Sequence, residues 1–298
     1  MTTSEPVATR QGFFESTRVF LEMIKISHSI FALPFAIAAA FLAAGGLPSG
    51  LLIVKIVLAC VCARTAAMSF NRWADADVDA RNPRTAIRAI PAGLLSRKAV
   101  GLATLVSCAL FVACAWWINP LAFKLSPVAL AVLLGYSLTK RFTQMSHLVL
   151  GLALGLSPLG AWVAIRDELA LLPAILGLAV LFWTAGFDII YACQDVDFDR
   201  QQKLHSIPSR WGVARALWIS RFLHVINVAL LVLVGVLAPL SWPYYVGVVF
   251  VTALLLYEHS IVRADDLSRV GVAFFTLNGI VSMVFMVATV VDILWRPV

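Results

Sequence analysis

Two short polar runs in an otherwise apolar chain have residue types and spacing suited to chemistry. Asn71, Asp75 and Asp79 recur at i, i+4 and i+8 after about twenty mostly apolar residues. If the preceding helix continues through them, three oxygen-bearing side chains stack on one face, a turn apart. A second ladder, Asp188, Tyr191, Asp195 and Asp199, ends another apolar stretch. Hard divalent ions such as Mg²⁺ take oxygen ligands, keep several waters and usually bind through one or two carboxylates plus substrate phosphates. The two ladders therefore predict a metal–diphosphate site, with Asn71, Asp75, Asp79, Asp188, Asp195 and Asp199 as candidate metal-ligating residues. Asp188 makes the sharpest demand. It stands among Phe182, Trp183, Phe187, Ile189 and Ile190, where an ionised carboxylate is costly unless paired or metal-bound. Asp77 falls on another stripe, and Asp197 and Asp199 beside Arg200 are also compatible with a solvated loop.

Such a site needs cations for the phosphate oxygens. Tyr136 and Lys140 are i, i+4 neighbours, so a phenol and an ammonium can share a helix face, and Arg141 follows. Arg84 and Arg88, just after the first ladder, offer the same capacity. Lysine and arginine at a helix end also serve as membrane anchors. Lys25 and His28 lie before or inside the first apolar stretch; His28 is read either as a hydrogen-bonded core histidine or as a substrate contact. His147, His224 and His259 lack metal-ligand spacing.

Composition sets the elements that must hold these groups. With 298 residues, 61% hydrophobic and 13% charged, and a mean hydropathy of +0.91, the chain has no ordinary soluble surface. The apolar stretches have the length a helix needs to cross about 30 Å of hydrocarbon, and they lack the alternation of barrel strands. The expected fold is an all-α integral membrane protein with about nine spans, near 28–47, 50–70, 99–118, 121–139, 147–165, 169–191, 214–238, 242–261 and 270–293. Lys124 and Pro127 make the fourth the weakest. Residues 1–17 form a polar arm without the apolar core of a cleavable signal, and 18–298 form one membrane domain with two Asp-rich inner loops, 71–98 and 193–213. The four-helix offset between the ladders hints at an internal duplication.

Lysine and arginine distribution predicts orientation. With the N-terminus inside, inner segments carry Arg72, Arg81, Arg84, Arg88, Arg97, Lys98, Lys140, Arg141, Arg200, Lys203, Arg210, Arg215, Arg263 and Arg269. Outer segments carry Lys124, Arg166 and Arg296. Both ladders then face the cytoplasm of the inner membrane. The net charge of +7 is thus a topology signal reinforced by anionic lipid and a poor sign of nucleic-acid binding. Nothing demands an obligate protein partner. Cys60, Cys62, Cys108, Cys114 and Cys193 are scattered in or beside spans and read as small apolar residues.

Taken together, these residues resemble the UbiA superfamily of membrane-embedded prenyltransferases over nearly the whole chain. Its first signature, N-x-x-x-D-x-x-x-D, matches Asn71, Asp75 and Asp79, and its R-x-[IL]-P-x-G appears as Arg88-Ala89-Ile90-Pro91-Ala92-Gly93. The second, D-x-x-Y-A-x-x-D-x-x-x-D, matches Asp188, Tyr191, Ala192, Asp195 and Asp199, and Y-x-x-x-K matches Tyr136 and Lys140. More narrowly, the run from Ile24 to Phe35 and Leu204-His205-Ser206-Ile207-Pro208 look like bacterial 4-hydroxybenzoate polyprenyltransferases and the menaquinone branch acting on 1,4-dihydroxy-6-naphthoate. Lys203 departs from the pattern; relatives often have glycine there.

The resemblance implies a bundle around a central cavity, with the two ladders opposed at its cytoplasmic end. Mg²⁺ would grip the diphosphate of a polyprenyl donor, helped by Lys140, Arg141, Arg84, Arg88 and Tyr136. Tyr191, Trp73 or Phe187 would offer a π face to an allylic cation, and Asp195 or Asp188 would take the proton from an aromatic acid acceptor. Arg141, Lys25 and His28 are the candidate acceptor contacts, Arg141 or Lys25 meeting any carboxylate. Asp75, Asp79, Asp188, Tyr191, Asp195 and Asp199 form the catalytic set, and the product would be a ubiquinone or menaquinone precursor. Among other classes, a cation-coupled transporter would carry its acids near the midplane in broken helices. A CDP-alcohol phosphotransferase would carry D-G-x-x-A-R, absent here.

Overall fold

The computed structural model describes residues 13–24 and 31–295. All regular structure in them is helical. An amphipathic helix α1 (Phe13–Met23) precedes the bundle. Then come α2 (Leu33–Ala44), α3 (Gly50–Ala74), α4 (Ala76–Asp79), α5 (Arg97–Ile118), α6 (Pro120–Thr139), α7 (Ser146–Arg166) and α8 (Leu171–Ala192). They are followed by α9 (Val196–Gln201), α10 (Ile207–Trp211), α11 (Val213–Leu237), α12 (Trp242–Ile261) and α13 (Asn278–Trp295). Among the described residues, eight helical segments are long and apolar enough to cross a membrane. The predicted first span appears as the 12-residue α2, about 18 Å long at 1.5 Å per residue. Its C-terminus is fixed by Gly45, whose φ of 65° puts it in the left-handed region that ends helices.

The fourth span runs through Pro127 as part of α6. Asn119 caps its start by accepting from the Ala122 N–H at 2.7 Å, and its amide donates to the Val163 carbonyl at 2.7 Å, tying α6 to the end of α7. Helix α8 is the most enclosed span, lying between α7 and α11. A ring of packed helices runs from α2 through α7, α8, α11, α12 and α13 back to α2, with α3, α5 and α6 packed along the α7 side. The core of that ring is aromatic: Phe35 lies against Trp183 at 5.1 Å and Phe285 at 4.9 Å between centroids. Ala36, Ala38, Ala39 and Ala40 fill the remaining space on α2.

Close approach of α7 to α8 rests on missing side chains. A Cβ on Gly155 would lie 2.5 Å from the Gly177 carbonyl, and one on Gly151 would strike the Leu181 carbonyl. Small residues allow this backbone proximity in membranes, where packing rather than water exclusion holds helices together. The α7 and α8 contact fixes Asp188 and Tyr191 relative to α7. Gly155→Val should therefore destabilise the protein by about 1–3 kcal/mol, read as a lower thermal midpoint in detergent. Gly160→Ala, where a Cβ meets nothing within 4 Å, should leave that midpoint unchanged.

Candidate active site

Both ladders sit where a long helix breaks. Helix α3 does not run on through Asp75 as the spacing predicted; it stops there, with φ −92° and ψ 4°, and the four-residue α4 carries Asp79. Asp195 does the same after α8. With φ −105° and ψ 9°, it separates a 3₁₀ turn, Cys193–Asp195, from α9, which carries Asp199. Both junction aspartates adopt the sparsely populated bridge conformation common at active sites. The break lets each ladder turn across the end of the bundle while the Asp79 N–H still reaches the Asp75 carbonyl at 2.7 Å.

The two ladders line one cavity of about 280 Å³. Asn71, Asp75 and Asp79 face it together with Asp188, Tyr191, Asp195 and Asp199, and Arg84, Arg88, Tyr136, Lys140 and Arg141 also line it. Lys25 and His28 lie outside the described residues. Trp73 is not on the cavity wall; it stacks on Phe70 at 5.8 Å and lies beneath Arg97 at 5.2 Å. Tyr191 and Phe187 do face inward. Phe274 stands 4.2 Å from the Tyr191 ring and 5.2 Å from Phe187. It belongs to a π-helical turn, Val272–Leu277, whose wider winding frees a carbonyl that the Asn278 amide recovers from Ala273 at 2.9 Å.

Each buried acid of the two ladders has its own cation. Asp79, 5% exposed, accepts from Arg88 Nη1 through both oxygens, at 2.7 and 2.8 Å. Asp195, 9% exposed, takes a two-pronged bond from Arg84, Nε to Oδ1 at 2.9 Å and Nη2 to Oδ2. Asp199, 1% exposed, pairs with Lys140 at 3.5 Å and accepts from the Ser206 hydroxyl at 2.8 Å. Arg141, the next residue, turns to the other ladder and donates to the Ala74 carbonyl at 2.6 Å and to Asp75 at 3.3 Å. Asn71 donates to Asp75 at 3.1 Å and accepts from Arg72 at 3.0 Å. Asp77, by contrast, is exposed with Arg97, and Arg200 bonds the Ser209 carbonyl rather than Asp199.

The first loop is built to deliver its arginines. Asn82 Oδ1 accepts from the Arg84 N–H at 2.9 Å, an Asx turn. Its amide donates to Asp195 at 3.3 Å, so the turn and the guanidinium meet the same carboxylate. Thr85 anchors the next turn on the Asp79 carbonyl at 3.1 Å. Arg84 Nη1 also donates to the Tyr191 hydroxyl at 2.8 Å. Burial works against the Arg84 charge, but Asp195 and Tyr191 outweigh it and the guanidinium pKa rises. At Asp75 burial prevails. It pushes the carboxyl above the ordinary range, opposed by the Arg141 hydrogen bond and aided by the neighbouring charge of Asp79.

The donor set suits Mg²⁺: carboxylate and amide oxygens from both ladders, facing each other across one cavity, with no thiolate among them. No three acids or histidines stand close enough to form a ready-made cage among the described residues. That agrees with an ion whose coordination is completed by phosphate and water.

Three residues were not flagged as site groups by the sequence. His147 is fully buried and bonds Asp188 at 2.7 Å. Its place in the first turn of the fifth span, seven residues after Lys140, was the available signal. Asn82 and Ser206 are the others, legible only as an Asn-Pro turn and a Ser before Ile-Pro. His224 and His259 bond each other at 2.9 Å and lie off the cavity.

An all-helical bundle of membrane-length segments with acids and cations facing one another in one cavity has the architecture of a membrane-embedded enzyme. The UbiA prenyltransferase family model matches residues 32–280, and the chain belongs to that family; it is a prenyltransferase. It is 31% identical over 249 residues to a 4-hydroxybenzoate octaprenyltransferase of Photobacterium profundum, covering 83% of this chain and 86% of the relative. To the Vibrio cholerae protein of the same name it is 32% identical over 244 residues, 80% and 84% covered. The apo structure of a UbiA homolog from Aeropyrum pernix K1 superposes with a TM-score of 0.82 at 34% identity, covering 90% of this chain and 99% of that one. A UbiA homolog from Archaeoglobus fulgidus bound to GPP and Mg²⁺ shares the fold, with a TM-score of 0.72, 23% identity, and 92% and 99% coverage.

The departure at Lys203 now has a local account. Helix α9 ends in a Schellman motif: the Leu204 N–H reaches the Asp199 carbonyl at 2.8 Å and the Lys203 N–H the Arg200 carbonyl at 3.3 Å. Lys203 takes the left-handed position, φ 55°, which glycine occupies without penalty. Lys203→Gly should therefore raise stability by about 1 kcal/mol, seen as a higher midpoint in thermal unfolding.

Proposed function

We propose that this enzyme transfers a polyprenyl group from polyprenyl diphosphate to an aromatic acid of the 4-hydroxybenzoate type, with Mg²⁺, in ubiquinone or menaquinone biosynthesis. The observation that carries this reading is the single cavity where opposed acid ladders meet Arg84, Arg88, Lys140 and Arg141. The names of the Photobacterium and Vibrio relatives support the acceptor class, and the ligands of the Archaeoglobus homolog support the donor and the metal. The charge asymmetry of the loops supports an active site on the cytoplasmic face of the inner membrane. Residues 18–298 act as one membrane domain behind a short N-terminal arm.

In this reading Asn71, Asp75 and Asp79 on one side and Asp195 and Asp199 on the other would hold Mg²⁺. The bound ion supplies charge neutralisation to the diphosphate leaving group. Arg84, Arg88, Lys140 and Arg141 bind the remaining phosphate oxygens, with Tyr136 beside them. The allylic C–O bond breaks, diphosphate departs, and Tyr191 and Phe187, backed by Phe274, turn aromatic faces to the cation and keep water away. A ring carbon of the acceptor forms the new C–C bond, and its proton must then leave. Asp188 takes it. Asp195 is taken up by the metal in this reading, whereas no hydrogen bond among the described residues engages Oδ1 of Asp188. Lys25, His28 and Arg141 are the groups for the acceptor side, Arg141 or Lys25 for its carboxylate.

The test uses purified protein with geranyl diphosphate and Mg²⁺, and 4-hydroxybenzoate or dihydroxynaphthoates as acceptor, with and without EDTA. A prenylated aromatic product should form only with metal, and the preferred acceptor identifies the pathway branch. Asp75→Ala and Asp195→Ala should each abolish turnover while the protein stays folded at assay temperature, with a lower thermal midpoint in Asp195→Ala, which strands Arg84. Wild-type rates in both variants, or product in EDTA, would overturn the assignment.

A further inference from the structure

His147 is the one imidazole on the cavity side of the described bundle whose two nitrogens are both engaged by the site. Nδ1 lies 2.7 Å from Asp188 Oδ2, and Nε2 lies 3.3 Å from the backbone N–H of Ile207. That N–H can only donate, so Nε2 must be the bare nitrogen and the ring proton must sit on Nδ1, where it is donated to the Asp188 carboxylate. The ring cannot rotate to another arrangement without losing both bonds, and it is fully buried.

The Ile207 end of this link belongs to the second loop. Ser206, one residue earlier, donates to Asp199 at 2.8 Å, and the N–H of His205 donates to the Lys140 carbonyl at 2.7 Å. Ile207 is also the first residue of α10, whose capping box between Ser206 and Ser209 makes the segment rigid. One stretch of three residues therefore touches Lys140, Asp199 and, through His147, Asp188. Elsewhere on α8, Asp188 is flanked by buried apolar residues, among them Phe187 and Ile189, which offer no donor.

We propose that His147 is a positioning residue that fixes the Asp188 carboxylate for removal of the acceptor proton and ties its position to the diphosphate-binding loop. This rests on the reading above that Asp188 takes the ring proton. The fixed Nδ1–H tautomer satisfies Oδ2, holds the carboxylate plane in one orientation and leaves Oδ1 to the substrate. Because the other nitrogen hangs on Ile207, a shift of the Ser206 segment on diphosphate binding moves the base as well.

Two substitutions separate the two bonds. In His147→Asn the side-chain amide takes the place of Nδ1–H and can still donate to Asp188. In His147→Gln the amide reaches the Nε2 position and serves Ile207 instead. Steady-state rates with 4-hydroxybenzoate are compared with those for acceptor deuterated at the ring carbon that is prenylated. We expect His147→Gln to lower kcat by roughly tenfold to a hundredfold, leave KM for geranyl diphosphate within about twofold, and develop a primary deuterium isotope effect larger than wild type. His147→Asn should recover most of kcat and lose the enlarged isotope effect. Equal loss in both variants without an isotope effect, or wild-type kcat in His147→Gln, overturns the proposal. Asp188→Asn distinguishes the two layers. Near-normal turnover in Asp188→Asn refutes Asp188 as the base and the His147 proposal with it. Lost turnover there with wild-type behaviour in His147→Gln refutes the role of His147 alone.

Discussion

The structure depends on matching each buried acid of the two ladders with a separate cation. Asp79, Asp195 and Asp199 are almost wholly enclosed, and an isolated ionised carboxylate in such a medium costs several kcal/mol even after relaxation. The chain meets that cost by bringing Arg88, Arg84 and Lys140 to them and Arg141 to Asp75, while the neutral ring of His147 donates to Asp188. Those cations come from loops and from the end of α6, so satisfying the acids also folds the loops over the cavity. Arg84 and Asn82 reach from the first half of the chain to Asp195 in the second, and Arg81 reaches Gln202 at 3.0 Å. Removing one partner of such a pair leaves a stranded charge, typically worth 3–5 kcal/mol of destabilisation. The site and the closure of the bundle are therefore one feature.

The two ladders are built alike in a way the four-helix offset only hinted at. In each, a long span ends at an aspartate in the bridge conformation, a short helix follows, and its aspartate is buried against a cation from another segment. A straight helix would carry the third ladder group, eight residues on, about 12 Å past the first, away from the opposing ladder. The break redirects the chain sideways, so both ladders face one small volume. Thr85 and Ser206, each six or seven residues after the last ladder aspartate, then fix the turn that follows through the Asp79 carbonyl and the Asp199 carboxylate.

Much of this was legible in the sequence because length and charge act through simple constraints. The spans from 50–70 onward emerge within a few residues of their expected places, since hydrocarbon thickness sets helix length and few residues besides apolar ones tolerate it. The ladders were legible because Asp188 amid Phe187 and Ile189 needs a partner. The break at Asp75 was not. Nothing between Asn71 and Asp79 is a proline or glycine, so local propensity favoured an unbroken helix and tertiary pairing decided otherwise. The partners of the acids were likewise hidden, because which arginine reaches which carboxylate depends on turns such as Asn82-Pro83. Trp73, attractive as an aromatic beside an acid ladder, sits one helical step off the cavity face and is taken up by Phe70 and Arg97. His147 looked unremarkable alone; only the fold brings Asp188, forty-one residues later, to its ring.

One-to-one pairing also bears on how a metal-bound diphosphate can enter so charged a place. Adding an anion to a bare acidic site would meet repulsion, and adding a cation to a basic site likewise. Here positive and negative groups are already interleaved, so the proposed magnesium diphosphate would exchange partners with them pairwise. In the proposed reaction the carboxylates now held by Arg84, Arg88, Lys140 and Arg141 would hold the metal, and those cations would bind phosphate oxygens, so that no charge is left naked in low dielectric. Two-pronged guanidinium contacts suit the exchange, because the fork that fits Asp195 also fits a phosphate. Asp188 stands apart from it. Its partner is a neutral imidazole rather than a cation that phosphate could draw away, so the hydrogen bond from His147 to its carboxylate would persist while the other pairs change.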